Sequence, residues 1–183
     1  MGWDERLFDL LDDLEGQAEA LYAAERDAEL ADRSRAEYAS VTLESRLMAS
    51  TGRQVTLDVA GAGRVSGALR RVGSGWCLVT GHGRDSLVPT AAVEGVTGLS
   101  DRALPEVAWT PVARLGLGSP LRRLADEGVP CVLVTRSGVR HEVELVRIGR
   151  DFVEAGAEAD DGRPRRVVLA IAAIGVVQSR DGG

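Results

Sequence analysis

The chain contains no lysine and no asparagine; all 22 of its basic residues are arginine. The first absence excludes a Schiff-base or P-loop lysine. The second excludes readout of a nucleic-acid base by an asparagine amide. Aromatic residues make up only 4% of the 183 positions, so Val, Leu and Ala must fill any core. The two cysteines, Cys77 and Cys131, each lie inside an apolar segment and read as small core residues. No apolar run approaches the roughly 18 to 20 residues that span a bilayer. The start of the chain is acidic from Asp4 onward, without the basic and then apolar pattern of a signal peptide. A cytoplasmic protein without membrane contact is therefore expected.

What is present divides by charge. Residues 1–50 carry thirteen acidic and five basic side chains, whereas the remainder carries fifteen and seventeen. The acidity of the chain, net −6, thus belongs to its first segment. From Asp4 to about Ser50 there is no proline and a single glycine, Gly16, and Ala, Leu, Glu and Arg dominate. These are strong helix formers. Leu7, Leu10 or Leu11, Leu14, Ala18, Leu21, Ala24, Ala28 and Ala31 follow a three-four spacing that draws one apolar stripe. Arg35 interrupts it, and Tyr38, Val41, Leu43 and Leu47 begin a new face. The pattern predicts one long helix, or two collinear ones with a break near Asp32 to Arg35. Its stripe calls for a partner helix or a second copy.

Beyond residue 50 the chain states one pattern twice. Gly52, Leu57, Leu69, Arg71 and Gly73 recur 76 positions later as Gly128, Leu133, Leu145, Arg147 and Gly149, with Trp76 matched by Phe152. Val93 and Val96 match Ile174 and Val177 at an offset of 81, so the second copy carries five extra residues in one connection. A fixed-period repeat of apolar positions and turn glycines implies one supersecondary unit built twice. Each unit opens with a short helix closed by a glycine. In the second, Ser119 reads as the N-cap, Pro120 as the first helical residue and Gly128 as the stop. Strands are expected over 55–59, 65–72, 76–80, 86–88 and 93–97, then over 131–135, 141–148, 152–158, 166–169 and 175–179. Five short strands between Gly-rich turns in about 45 residues predict a small, strongly bent barrel.

In this frame the first copy resembles the Sm-like (SH3-like) barrel family. Val65, Gly67, Leu69, Val72, Trp76 and Leu78 hold the apolar and glycine places of its first signature, and Val93 and Val96 those of its second. In the second copy Val143, Leu145, Ile148, Gly149, Phe152 and Val153, then Ile174 and Val177, do the same. The resemblance implies an α+β fold: a long N-terminal helix, then two five-stranded barrels, each preceded by a short helix. At the places where that family clamps a uridine base, this chain has Gly73, Cys77, Pro89 and Thr90 in its first copy. The whole layout is also similar to actinobacterial proteins, some of them described as transcriptional regulators. The domains expected are an acidic helix over 1–50, a first barrel over 51–99, a linker over 100–118, and a second helix plus barrel over 119–179.

Chemistry-bearing constellations are scarce. His82 lies in a Gly-His-Gly turn and His141 at a strand start, neither with a spaced Cys, His or carboxylate partner. Gly61-x-Gly63 and Gly116-x-Gly118 do not open a long helix after a strand, as a phosphate cradle would. Asp12-Asp13 and Asp160-Asp161 read as solvated surface. Trp76 and Phe152 are expected to plug the two barrels, and Trp109 to pack between them. No enzyme, cofactor or metal is expected. The sequence points to a non-enzymatic interaction or scaffold protein that meets a protein partner, or a second copy, through Leu7, Leu14 and Leu21. The alternative is a nucleic-acid-associated regulator acting through Arg70, Arg71, Arg147, Arg163, Arg165 and Arg166.

Overall fold

The computed structural model describes residues 3–158 and 164–180, excepting the side chains of residues 3–13, 18, 24 and 158. The chain divides into two units, one running up to Val41 and the other starting at Thr42.

The first unit is a single helix, α1 (Trp3–Ala39). Gly16 is tolerated within it, although a mid-helix glycine costs about 0.5–1 kcal/mol relative to alanine. Of the two readings, the helix is continuous through Asp32 to Arg35, as the first has it, and the interruption comes later, between Ala39 and Leu43. Arg35 sits in continuous helix and pairs with Asp32 one turn earlier. A charged residue in an apolar stripe interrupts burial, not backbone hydrogen bonding, and every described side chain of this helix is exposed. The helix ends instead at Ser40, whose hydroxyl donates to the Glu37 carbonyl. Thr42 then adopts an extended conformation and caps a new helix, α2 (Leu43–Ala49). The Ser45 N–H donates to Thr42 Oγ1 and the Thr42 N–H to Ser45 Oγ, each at 3.1 Å, a reciprocal capping box.

The second unit is β-rich. Its first copy contains β1 (Gln54–Val59), β2 (Gly63–Gly73), β3 (Trp76–Gly81), β4 (Arg84–Pro89) and β5 (Val93–Thr97). After the linker come α3 (Gly118–Glu127), then β6 (Pro130–Thr135), β7 (Arg140–Ile148), β8 (Phe152–Glu158), β9 (Pro164–Ala170) and β10 (Ile174–Ser179). A single 3-10 turn precedes each last strand, Thr90–Ala92 and Ile171–Ala173.

The ladders of the two copies superimpose on the sequence repeat. Leu57 faces Val65 and Val96 in the first, and Leu133 faces His141 and Val177 in the second. Leu69 opposite Val79 corresponds to Leu145 opposite Ala155. The register slips between Leu69 and Arg71, and again between Leu145 and Arg147, so each copy bends at the same bulge. Leu69 and Leu145 are both buried at that bend.

Two separate five-stranded barrels were expected, and here the structure differs. The ten described strands form one antiparallel sheet of order β5-β1-β2-β3-β4-β10-β6-β7-β8-β9, and among the described residues no ladder joins its ends. The copies are fused where β4 pairs with β10, Val177 opposite Leu87 and Gln178 opposite Ser86. Two hydrophobic cores result, and each borrows from the other copy. The first combines Leu47, Leu57, Leu69 and Val79 with Val132, Val134 and Val176. The second combines Leu121, Leu133, Leu145 and Val153 with Trp76 and Leu87. Strand geometry is the cause: successive side chains point to opposite faces. β6 therefore sends Val132 and Val134 into one core and Cys131 and Leu133 into the other.

Two smaller expectations are also revised. Ser119 is not the N-cap of α3, which starts at Gly118 after Leu117 in helical conformation, without any side-chain cap. Gly128 does close it, in the left-handed conformation that glycine adopts without a Cβ penalty. Phe152 is not a core plug; it is 37% exposed, whereas Trp76 is 6% exposed. Both rings lie flat on a glycine, Gly73 or Gly149, where a Cβ would collide with them. The difference lies overhead. The linker crosses Trp76, taking its indole N–H onto the Leu115 carbonyl at 2.8 Å, and bridges to β2 and β3 through Ser74 and Gly116. Trp109 is buried, with its indole N–H on the Leu104 carbonyl at 2.9 Å inside the same linker.

Candidate interaction surfaces

The stripe of α1 comes first. Leu14 and Leu21 are 51% and 67% exposed. The Leu7 side chain lies outside the described residues. Tyr22, Leu30 and Tyr38 are equally open. Within the described residues no helix is long and apolar enough to cross a membrane.

The arginines do not converge. Arg70 and Arg71, exposed on the bulge of β2, border a groove of about 720 Å³ between the copies, together with Trp76, Leu87, Leu124 and Val177. Arg165 and Arg166 border a different groove of about 1140 Å³ over β7 to β9, which Glu142 and Glu144 also line. Arg147 is occupied by Glu154, at 2.8 Å. Arg163 lies outside the described residues. In the second groove Arg180 hydrogen-bonds Glu142 and holds its carboxyl below the usual range, with Arg140 adding to the effect. Acidic side chains thus offset part of the positive field that a phosphate backbone would need.

The remaining candidates form no chemical site. Cys77 and Cys131 are free and buried. Burial pushes the Cys77 thiol up to about 12 and the Cys131 thiol up to about 11, the latter partly offset by Arg180. Thiols so raised carry almost no thiolate at neutral pH and are poor nucleophiles. His82 has a positive φ of 53° and, with Gly83, forms the tight turn between β3 and β4. Among the described residues no group of three or more His, Cys, Asp and Glu side chains is placed to hold a metal ion.

The surface that the sequence reading missed is the seam between copies. Leu87, Val177 and Ser86 are buried there. Gln178 Nε2 donates to Ser86 Oγ at 3.2 Å and the Asp85 N–H to Ser179 Oγ at 2.9 Å. One signal was available. β1 alternates Val55-Thr56-Leu57-Asp58-Val59, while the equivalent stretch of β6 runs Cys131-Val132-Leu133-Val134 without a polar residue. A continuous apolar strand is covered on both faces. Compared with known proteins, the chain matches no family model and no curated protein sequence.

Proposed function

We propose that this is a non-enzymatic interaction protein whose helix α1 recruits a protein partner, or a second copy, through Leu7, Leu14 and Leu21. The observation that carries this reading is the exposure of α1: 37 residues long, with every described side chain open to solvent and leucines at heptad spacing. Such a helix gains its stability from burying the stripe against something, at about 1.5–3 kcal/mol per fully buried leucine. The acidic flanks favour a protein partner whose own flanks are basic or neutral over a second copy, whose flanks are equally acidic.

The β-rich unit is the body that carries this helix. Each copy is read as an Sm-like unit, supported by a short helix followed by strands in the spatial order fifth-first-second-third-fourth. The uridine-clamping residues of that family are missing, which favours protein contact over RNA.

Light scattering and a pull-down on the full chain and on an L7E/L14E/L21E variant test the proposal. The wild type is expected to retain a binding partner, or a mass above the 19.4 kDa of one chain, that the variant loses. Identical behaviour of the two proteins removes the helix from the account. Binding of RNA or DNA that weakens steeply with salt would transfer the function to the arginines.

A further inference from the structure

The groove of about 720 Å³ at the seam between the copies is mostly apolar. β3 and β4 supply Leu78 and Leu87 from the first copy, and α3 and β10 supply Leu124 and Val177 from the second. The linker adds Val112 and Leu115, 55% and 46% exposed. These two are held in place. The Leu115 carbonyl accepts from the Trp76 indole, Gly116 bridges to Ser74, and Arg114 donates to the carbonyls of Glu106 and Val107. A backbone fixed at this many points presents its apolar side chains at little ordering cost on binding.

The charges around the groove are uneven. Arg70, Arg71 and Arg123 border it, together with Asp85 and Glu127. Glu127 is paired with Arg123 at 2.7 Å, and Asp85 accepts from the Thr80 hydroxyl at 2.6 Å. Arg70 and Arg71 are exposed, and no described acidic residue pairs with either. Two unpaired arginines on β2 thus stand against one carboxylate.

An apolar groove with a basic wall fits an amphipathic helix with acidic flanks, whose apolar face lies in the groove. α1 is such a helix. Leu14 and Leu21 are exposed and two turns apart, about 10 Å along the axis. From Leu14 to Glu25 the chain has three acids, Glu15, Glu19 and Glu25, and no base. The groove over β7 to β9 fits less well, because Glu142 and Glu144 line it and no leucine does.

We propose that α1 of a second copy lies in the seam groove, with Leu14 and Leu21 against Leu78, Leu115 and Leu124 and its glutamates towards Arg70 and Arg71. The proposal rests on the role given to α1 and names the surface that helix meets. Like charge disfavours two acidic helices side by side. It does not disfavour an acidic helix against a basic wall, so a second copy serves by its groove and not by its own helix. Each chain carries one helix and one groove, so two chains that exchange helices satisfy both. Burial of the leucines supplies the affinity, and the charges at the rim speed the encounter and fix its direction.

Light scattering and pull-downs on full-length chains test it. The wild type is expected to show a mass above that of one chain, rising with concentration. R70E/R71E, at exposed positions, should weaken that association by about tenfold or more and leave thermal unfolding unchanged. L7E/L14E/L21E should weaken it from the other side. The two variants mixed should bind each other although neither retains itself, because one still offers a groove and the other a helix. Pairing of helix with helix forbids that rescue, since it needs two intact stripes. A mass of one chain at every concentration up to submillimolar overturns the proposal, as does a mixture without rescue. If R70E/R71E associates like the wild type while the helix variant does not, the α1 reading stands and this one falls. If both variants associate like the wild type, neither stands.

Discussion

The two copies of the β-rich unit fold alike and live in different surroundings. Their ladders share register, bulges and 3-10 turns, and Leu69 and Leu145 occupy the same bend. Yet the first copy is covered where the second lies open: Trp76 lies under the linker and Phe152 does not, and Leu87 is sealed by β10 while Val168 is bare. Conversely, the second copy is apolar on both faces of β6 where the first is polar on one face of β1. Duplication accounts for the shared backbone. The differences map onto position in the row, since only one side of each copy has a neighbour within the chain.

The sharpest way to break this comparison is at the paired aromatics. Trp76→Ala should cost about 3–5 kcal/mol, as expected for a buried tryptophan that also forfeits its hydrogen bond to Leu115. Phe152→Ala should cost well under half of that in dilute protein. Equal losses in denaturant titrations would mean that cover from the linker and β10 does not set the energetics of the site. Leu69→Ala and Leu145→Ala test the shared part. Both side chains are at most 1% exposed, and each truncation should cost about 2–5 kcal/mol, with the two values agreeing within about 1 kcal/mol. A wide gap would show that the second bend tolerates a cavity that the first does not.

The most gradual effect is the alkaline one, spread over the pH range between the unfolded and folded thiol values. The thiols of Cys77 and Cys131 rise from an ordinary 9.0 to about 12 and about 11 in the folded chain. The folded state therefore holds protons that the unfolded chain releases. The stabilisation is complete below pH 9 and is lost as pH rises through the folded values. Stability should fall by about 1.4 kcal/mol per pH unit for each thiol that ionises only on unfolding. C77A should remove more of this slope above pH 11 than C131A, measured as unfolding free energy against pH. The same dependence in both variants would mean that the first-copy cysteine is no better sealed than the second.

The positions of the strands were legible because each relies on local chemistry. Turn glycines and alternating Val and Leu mark where a strand runs and which face it buries, and the 76-residue echo confirms that the second set is like the first. Whether the helix breaks at Arg35 was left open by the stripe, because a charged residue there disturbs only burial, and the helix runs on to Ala39. α1 ends at Ser40, and the extended Thr42 that follows caps α2, its hydroxyl accepting from the Ser45 N–H and its own N–H donating to Ser45 Oγ. Of the surfaces, Leu14, Leu21 and the arginines could be named from the sequence. That Arg70 and Arg166 line different grooves could not.

From its amino-acid order alone, this protein is an acidic helix followed by a twice-built unit of short strands, because burial periodicity and turn chemistry are written residue by residue. Which strand lies beside which was decided by the tertiary structure. Edge pairing is made by backbone N–H and C=O groups that every non-proline residue carries alike, so nothing in the side chains of β4 names β10 as its neighbour. That one pairing turns two units into a continuous sheet, interleaves their cores and leaves β5 and β9 as its ends.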